Sequence, residues 1–246
     1  MDRLRIALVG YGRMGREVEA VARESGHEIV ARIDDGSALD AERLAGADVA
    51  MEFTGPGAAV SNIRAIASAG VDAVVGTTGW YDRLDEVRTA VDDGRTGLIY
   101  APNFSLGVQL FFRVVRRLGE LVDTLDQYDT HVHETHHRHK MDHPSGTARR
   151  LAGILVDTVE RKRDWVEGPQ APPSDPGRLE VTSSRVGEVP GTHVVEVEGP
   201  DDRIELRHEA RGRRGFARGA LEAASWIRGR PGVHTLDDML RERFGG

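Results

Sequence analysis

The chain has 246 residues, a length that suits one large domain or two small ones. Its 33 basic and 40 acidic side chains give a formal net charge of −7, which argues against binding to nucleic acid or to an anionic membrane. The absence of cysteine excludes disulfides, iron–sulfur clusters and thiolate nucleophiles. No apolar run reaches the roughly 18 residues of a membrane span, and the first residues enter a strand pattern without a signal peptide. We therefore expect a soluble, cytoplasmic globular protein.

The N-terminal part of the chain alternates between strand and helix patterns. Short apolar runs predict buried strands at 4–9, 28–33, 49–53, 73–76 and 97–100. Apolar residues at helical spacing predict helices at 14–25, 58–69 and 83–91. Because strands that alternate with helices form right-handed crossover units, this part predicts a parallel sheet of the Rossmann type.

The pattern changes after residue 103. Helices are predicted at 106–122 and 145–163, a strand at 126–135, and an exposed proline-rich loop at 167–177. The helix at 106–122 carries an apolar stripe of Leu110, Phe111, Val114, Val115, Leu118 and Leu121. Strands at 179–185, 192–198 and 203–209 follow without intervening helices, which predicts an antiparallel or mixed sheet. Two helices, at 216–228 and 235–243, end the chain.

These patterns predict an α/β protein with two domains. An N-terminal Rossmann-type domain with a parallel sheet is expected at 1–103, and an α+β domain built on a mixed sheet at 104–214. We expect the C-terminal helices within 215–246 to pack back on the first domain.

A glycine motif of the form G-x-G-x-x-G lies between the first predicted strand and helix. Its glycines permit a tight turn and the close approach of backbone N–H groups to a pyrophosphate, which the helix N-terminus also attracts. Asp34 closes the second predicted strand, where a carboxylate would accept hydrogen bonds from the adenosine ribose. Together these features predict dinucleotide binding. The motif comprises Gly10, Tyr11, Gly12, Arg13, Met14 and Gly15.

Two further loops follow predicted strands of the same sheet. In a parallel sheet such loops lie along the carboxyl edge, where ligands bind, although ordinary turn chemistry explains them equally well. The first contains Gly76, Thr77 and Thr78, and the second contains Ala101, Pro102, Asn103 and Phe104.

The densest chemical signal lies between residues 131 and 143, which hold six of the ten histidines. A metal site is one interpretation, but the spacing matches neither H-E-x-x-H nor a zinc finger. A solvated basic loop is the second. The third is an acid/base site for a small anion, because a run of basic side chains precedes a helix whose N-cap is predicted at Ser145. The run comprises His136, His137, Arg138, His139 and Lys140. Gly146 and Thr147 would offer free N–H groups in the first turn of that helix.

The sequence resembles the 4-hydroxy-tetrahydrodipicolinate reductase (dihydrodipicolinate reductase) family. The resemblance rests on the glycine motif, on both loops and above all on E-x-H-H-R-H-K-x-D-x-P-S-G-T-A at 134–148. It extends through R-V-G-E-V-P-G-T-H at 185–193 and to residues near 208–219, and so covers nearly the whole chain. His143 is a departure, since many relatives carry a small residue before the proline; we expect it to crowd the helix entrance without a catalytic role.

The resemblance implies an NAD(P)H-dependent oxidoreductase that reduces 4-hydroxy-tetrahydrodipicolinate to tetrahydrodipicolinate in lysine (diaminopimelate) biosynthesis. The glycine motif, Asp34 and the two loops would hold the cofactor. His136 would be a proton donor and acceptor and Lys140 a proton donor, while His137, Gly146 and Thr147 would bind the dicarboxylate. The family also implies a homotetramer. We expect no metal, since the histidine spacing matches no metal-binding motif. Two alternatives stay open: another Rossmann-type reductase such as an amino-acid dehydrogenase, and a non-catalytic nucleotide sensor with a metal-binding histidine loop.

The two adjacent carboxylates Asp34 and Asp35 bear on the choice of cofactor. Negative charge beside the ribose should repel the 2′-phosphate of NADPH, although Arg13 partly offsets it. We therefore expect NADH to be used at least as well as NADPH.

Overall fold

The computed structural model describes residues 3–34, 36, 39–172 and 174–244. The chain forms two compact units, each built around its own sheet. The parallel-sheet unit consists of Met1–Ser105 together with Arg213–Gly246, and the mixed-sheet unit consists of Leu106–Gly212.

The elements follow one another along the chain with short connections. In order they are β1 (Arg5–Val9), α1 (Arg13–Glu24), β2 (Glu28–Ile33), β3 (Val49–Glu52), α2 (Pro56–Ser68), β4 (Asp72–Val75), a 3₁₀ turn (Tyr81–Arg83), α3 (Leu84–Gly94), β5 (Gly97–Tyr100), α4 (Leu106–Val122), β6 (Asp129–His136), α5 (Gly146–Thr158), β7 (Asp164–Glu167), β8 (Arg178–Arg185), β9 (Thr192–Glu198), β10 (Arg203–Glu209), α6 (Arg214–Ile227), β11 (Gly232–Thr235) and α7 (Leu236–Phe244).

The parallel-sheet unit contains a six-stranded sheet in the order β11-β5-β4-β3-β1-β2, and every pairing is parallel. Its central strands are apolar on both faces because helices cover both, and Ile6, Ala7 and Leu8 have no exposed surface. The chain runs from β1 outward to β2 and then back to β3 on the other side of β1. This reversal is the topological switch point at which α/β sheets bind ligands, beyond the carboxyl ends of the strands.

The mixed-sheet unit contains a five-stranded sheet in the order β10-β9-β6-β8-β7. The central strand β6 pairs antiparallel with β9 and parallel with β8. Residues at alternate positions of β6 are buried, and Val132 joins a core formed with α4 and α5. Glu134 and His136 lie on the same buried face as Val132, so two ionisable side chains enter the interior at the end of this strand.

The architecture is the predicted one, a parallel Rossmann-type sheet and a mixed sheet with helices on both, but two strands were not predicted. Both are short edge strands with few apolar residues: β7 (D-W-V-E) and β11 (G-V-H-T). Periodicity cannot identify such segments, because hydrogen bonding to a neighbour creates them.

The predicted helix at 145–163 ends earlier, at Thr158. Val159 adopts an extended conformation, and Lys162 is 3% exposed. Its ammonium group donates to the carbonyl oxygens of Pro176 and Arg178 and pairs with Asp129. These contacts hold the segment in a non-helical conformation despite its helix-forming residues.

The apolar stripe predicted on α4 is only partly buried. Phe111 and Val115 are 8% and 0% exposed, whereas Leu110 and Leu121 are 53% and 50% exposed. No helix in the described ranges is both long enough and apolar enough to cross a lipid bilayer.

Candidate active site

The glycine motif forms a tight turn from β1 into α1, and its glycines have different physical roles. Gly10 has a φ of +92°, and a Cβ there would lie 2.4 Å from the carbonyl oxygen of Phe53, the residue that follows β3. A Cβ on Gly15 would lie 2.3 Å from the carbonyl oxygen of Gly10. These two positions therefore have no room for a side chain.

Gly12 differs because a Cβ there would meet no atom within 4 Å. It is the N-cap of α1, no side chain caps this end, and the first turn holds no acidic residue. The first N–H groups of α1 therefore have neither a capping side chain nor a neutralising carboxylate in this turn, and the space beside Gly12 is open. Such an N-terminus fits the pyrophosphate of a dinucleotide.

Asp34 lies where β2 ends, and its carboxylate accepts a hydrogen bond from the backbone N–H of Tyr11, at 2.9 Å. The acidic residue thus braces the glycine turn. Beside it, Glu19 accepts hydrogen bonds from Arg32 and from the hydroxyl of Tyr11. The hydrogen bond from Arg32 lowers the pKa of Glu19 to about 2, so the arginine is held by a permanent negative charge.

The two other predicted loops follow β4 and β5 at the same edge of the sheet. Gly76 lies against the ring of Phe53, and a Cβ there would overlap it at 2.1 Å. The hydroxyl of Thr77 is buried without a hydrogen-bond partner among the described residues, as expected where a polar ligand completes the site. Ala101 and Phe104 are buried, and Asn103 accepts a hydrogen bond from the backbone of Ser105.

The mixed-sheet unit brings together a second set of residues around the end of β6. Glu134 has no exposed surface, and its Oε2 accepts a short hydrogen bond from Nδ1 of His136. Its Oε1 accepts a hydrogen bond from Arg185 at 2.8 Å and one from the backbone N–H of Ser145 at 3.3 Å. Burial alone would raise the pKa of Glu134, but the hydrogen bonds from His136 and Arg185 outweigh it and lower the pKa to about 2.

Lys140 lies in the turn after β6, and its ammonium group pairs with Asp142 at 2.6 Å. Arg185 donates to the carbonyl oxygens of Lys140 and Asp142, at 3.3 and 2.7 Å. The guanidinium of Arg185 therefore connects the lysine turn with the Glu134–His136 pair.

The helix α5 begins after Ser145, whose side chain caps it by accepting the N–H of Ala148. This confirms the predicted N-cap. The first N–H groups of a helix have no intrahelical acceptor, so those of Gly146 and Thr147 stay available to an anion. No acidic residue lies in this turn, and a Cβ on Gly146 would meet no atom within 4 Å. Nδ1 of His137 is buried without a partner among the described residues, which also fits a bound polar ligand.

His193, on β9, is a site residue that the sequence did not single out for a role. It is 5% exposed, its Nε2 lies 3.1 Å from Oγ of Ser145, and its ring packs edge-on against that of His136. Burial lowers the pKa of His193 to about 3, assisted by the charges of His136 and Lys140. This ring is therefore neutral at physiological pH, and both proposed proton donors lie within electrostatic reach of it.

Glu134, His136 and His193 each offer a potential metal ligand, and the ligand atoms lie within 4.8 Å of one another. However, Arg185 already neutralises Glu134, and a metal would have to replace the proton that His136 donates to it. The neighbouring cation Lys140 adds further positive charge. The donor set fits a hydrogen-bonded acid/base cluster better than a metal centre.

The predicted residues thus form two groups, each within one unit. His143 departs from the expectation that it crowds the helix entrance, because its side chain is 60% exposed and pairs with Glu167. Glu134 was in the recognised motif but had no assigned role, although the two-residue spacing from His136 indicates a shared strand face. Arg185 lies opposite His136 in the register of β8, a relation that only the strand pairing reveals.

Comparisons with known proteins bear on both units. The family model described as dihydrodipicolinate reductase, N-terminus, matches residues 4–104, and the one described as C-terminus matches residues 107–240. A 4-hydroxy-tetrahydrodipicolinate reductase of Christiangramia forsetii is 36% identical over 98% of this chain and 99% of its own length. The one of Archaeoglobus fulgidus is 38% identical over 96% of this chain and 100% of its own.

Among solved structures, a dipicolinate-bound dihydrodipicolinate reductase from Paenisporosarcina sp. TG-14 has a TM-score of 0.73. It is 22% identical and covers 95% of this chain and 98% of its own, so the likeness concerns the fold. Fold and relatives together define the class: the chain is an oxidoreductase with a nicotinamide nucleotide cofactor. Within that class, it belongs to the dihydrodipicolinate reductase family.

Proposed function

We propose that this chain reduces 4-hydroxy-tetrahydrodipicolinate to tetrahydrodipicolinate, with loss of water, in lysine (diaminopimelate) biosynthesis. The observation that carries the proposal is the Glu134–His136 pair beside the open N-terminus of α5, in a chain whose relatives bear the name of this reductase. A buried acid/base pair next to an anion site suits a substrate that carries carboxylates and must receive a proton.

The cofactor would lie at the carboxyl edge of the parallel sheet. The first turn of α1 would receive the pyrophosphate, Asp34 the adenosine ribose, and the loops at 76–78 and 101–104 would flank the nicotinamide. When bound, the nicotinamide supplies the hydride. The unpartnered hydroxyl of Thr77 supports a polar ligand in this position.

The protein's own groups would bind the substrate and deliver the proton. Gly146 and Thr147 would hold one carboxylate with their backbone N–H groups, assisted by His137. The relative whose structure contains dipicolinate shows that a planar dicarboxylate binds to a protein of this fold. Negative charge that develops in the ring beside the carbon receiving hydride would be neutralised by a proton from Nε2 of His136 or Nζ of Lys140.

We also propose that NADH is used at least as well as NADPH. Asp34 places a carboxylate at the end of β2, and the nearby Arg32 already pairs with Glu19, so its positive charge is offset beside the proposed ribose site. The expected contribution of Asp35 falls outside the described residues. A kcat/KM for NADPH more than about tenfold higher than for NADH would contradict this proposal. That ratio corresponds to about 1.4 kcal/mol of transition-state binding free energy.

The resemblance also supports a homotetramer located in the cytoplasm, with a small-molecule dicarboxylate as substrate and no nucleic acid or membrane partner. The balance of 33 basic and 40 acidic side chains agrees with the absence of a polyanionic partner.

The test is the oxidation of NADH in the presence of the condensation product of pyruvate and aspartate semialdehyde. His136→Gln and Lys140→Arg should each lower kcat by about 100-fold or more while the Kd for NADH stays nearly unchanged. His139→Gln and Arg138→Lys are matched controls, since these neighbours are exposed, form ion pairs with Glu188 and should leave kcat unchanged. If Lys140→Arg retains most of kcat, Lys140 anchors the substrate by charge and does not donate a proton.

The metal-binding sensor is the second candidate, because of the Glu134, His136 and His193 cluster. Metal analysis of the purified protein, together with the NADH oxidation assay, separates the two functions. NADH oxidation by protein that holds no metal supports the reductase as proposed, whereas bound zinc without NADH oxidation would favour the sensor.

A further inference from the structure

We infer that the buried ion pair between Glu134 and Arg185 positions both proton-donating side chains, His136 through Glu134 and Lys140 through Arg185. The inference rests on the roles proposed above for His136 and Lys140. Neither Glu134 nor Arg185 is a catalytic residue here. Glu134 positions the proton donor His136, and Arg185 positions the proton donor Lys140.

Glu134 determines which nitrogen of His136 can exchange a proton with the substrate. Its carboxylate is ionised and accepts from Nδ1, so Nδ1 of His136 carries a proton whether the ring is neutral or charged. Proton exchange is thereby restricted to Nε2. That atom lies beside Gly191, where a Cβ would be only 2.9 Å from Nε2. Because Gly191 has no side chain, Nε2 is not obstructed there.

Arg185 fixes the turn that carries Lys140. Its Nε and Nη2 donate to the carbonyl oxygens of Lys140 and Asp142, and the carboxylate of Asp142 holds the ammonium group of Lys140 at 2.6 Å. The same Nη2 donates to Oε1 of Glu134 at 2.8 Å. One planar guanidinium thus sets the position of the lysine turn relative to the carboxylate that orients His136.

The burial of Glu134 separates a positioning role from a catalytic one. The residue has no exposed surface, and both of its oxygens already accept hydrogen bonds within the protein, so it cannot touch the substrate. Stability alone is also a poor explanation, because well-packed apolar residues often replace a buried ion pair without loss. The geometric constraint on the two proton donors is what an apolar pair would not reproduce.

The experiment compares Glu134→Gln and Arg185→Lys with wild type. A glutamine presents an amide N–H₂ to Nδ1 and favours the wrong tautomer, so we expect kcat to fall about tenfold or more. Lysine keeps the positive charge of Arg185 but cannot donate several hydrogen bonds in the fixed planar geometry of a guanidinium, so we expect a similar loss of kcat. The Kd for NADH should change less than about twofold, since neither residue belongs to the proposed dinucleotide site. Retention of most of the wild-type kcat by either variant overturns the inference.

Matched controls come from a second ion pair of the same sheet. Arg178, on the same strand as Arg185, donates to Asp164 at 2.9 Å on the surface. Asp164→Asn and Arg178→Lys should leave kcat unchanged. A loss of kcat in these controls as large as in the Glu134 and Arg185 variants would show a general effect on the sheet and overturn the inference.

A double-mutant cycle distinguishes this inference from the proposed function. If Glu134 acts through His136, Glu134→Gln should lower kcat little or not at all in the His136→Gln background. Losses that multiply fully would mean that Glu134 acts by another route, which contradicts the inference but not the role of His136. A normal kcat in His136→Gln alone would instead disprove the role of His136, and with it this inference.

Should Glu134→Gln fail to fold, nitrogen NMR of histidine-labelled wild-type enzyme gives an independent result. The neutral ring of His136 should carry its proton on Nδ1. A neutral ring protonated on Nε2 would overturn the inference without any variant.

Discussion

The buried histidine His193 makes stability sensitive to acid. Its pKa in the folded protein is about 3, lowered by burial, against 6.5 for an exposed histidine. Below about pH 6.5 the unfolded chain therefore binds a proton that the folded protein does not bind, so stability falls as the pH decreases. This loss continues until the pH reaches the folded value of about 3. Glu134, with a pKa of about 2 against 4.5, adds a second loss below about pH 4.5.

His193→Gln should reduce the pH dependence of the free energy of unfolding. One proton corresponds to a slope of about 1.4 kcal/mol per pH unit, so the slope between about pH 6 and pH 4 should be shallower by this amount in the variant. Burial also lowers the pKa values of His27, His133 and His208, so the wild-type slope includes more than one proton. Urea unfolding at several pH values measures both slopes. Equal slopes would mean that His193 is not held neutral in the folded protein.

At the residue scale, the sequence predicted the groups that carry a local motif and missed those that depend on strand pairing. His136, Lys140 and Ser145 stand within one continuous segment, and the predicted N-cap at Ser145 is confirmed. Arg185 and His193 come from other strands, and only the register of β8 and β9 places them opposite β6. Register is set by nonlocal packing, which no local pattern in the sequence reports.

The start of α1 offers a test at the scale of one element, because Gly12 and Gly15 differ in their surroundings. Gly12→Ala adds a methyl group in open space before the helix, so stability should be kept while the Kd for NADH rises about tenfold. Gly15→Ala places a methyl group 2.3 Å from a carbonyl oxygen, so the Tm should fall by about 2 °C or more. Calorimetry and a fluorescence titration with NADH measure the two effects. Equal NADH affinity in Gly12→Ala and wild type would exclude this helix end from the cofactor site.

The start of α5 has a corresponding prediction for the substrate. Thr147→Val keeps the backbone N–H but removes the hydroxyl beside it, which we expect to assist in holding the carboxylate, so KM should rise and competitive inhibition by pyridine-2,6-dicarboxylate should weaken, with NADH binding unchanged. Thr158→Val is the matched control at the opposite end of the same helix, where the hydroxyl bonds the carbonyl oxygen of Ile154. Inhibition that stays at the wild-type level in Thr147→Val would exclude the Thr147 hydroxyl from the substrate site.

At the element scale, predicted and observed boundaries agree where the pattern is intrinsic to the segment. Helix α4 and strands β2, β5, β9 and β10 begin and end where the periodicity predicts. The predicted end of α5, at residue 163, was wrong because Lys162 is buried and donates to carbonyl oxygens of a loop distant in sequence. Helix propensity decides little when a tertiary contact of this kind competes with it.

Self-association is the prediction that belongs to the whole molecule. We expect multi-angle light scattering on the purified protein to give four times the 26.9 kDa of one chain, as the family resemblance implies. The mass should not depend on added NADH. A measured mass equal to that of one chain, at every protein concentration tested, would contradict the tetramer.

The discontinuity of the parallel-sheet unit has a consequence for protein synthesis. The last residue of the mixed-sheet unit, Gly212, emerges from the ribosome before α6 and β11 do. Until β11 emerges, β5 is an edge strand with unpaired backbone groups, and α1 lacks the helix α6 that packs against it. Although nascent domains usually fold from the N-terminus onward, here the middle of the chain can complete its native contacts first. The part translated earliest finishes folding last, and its exposed strand edge is where a nascent chain would need protection from aggregation.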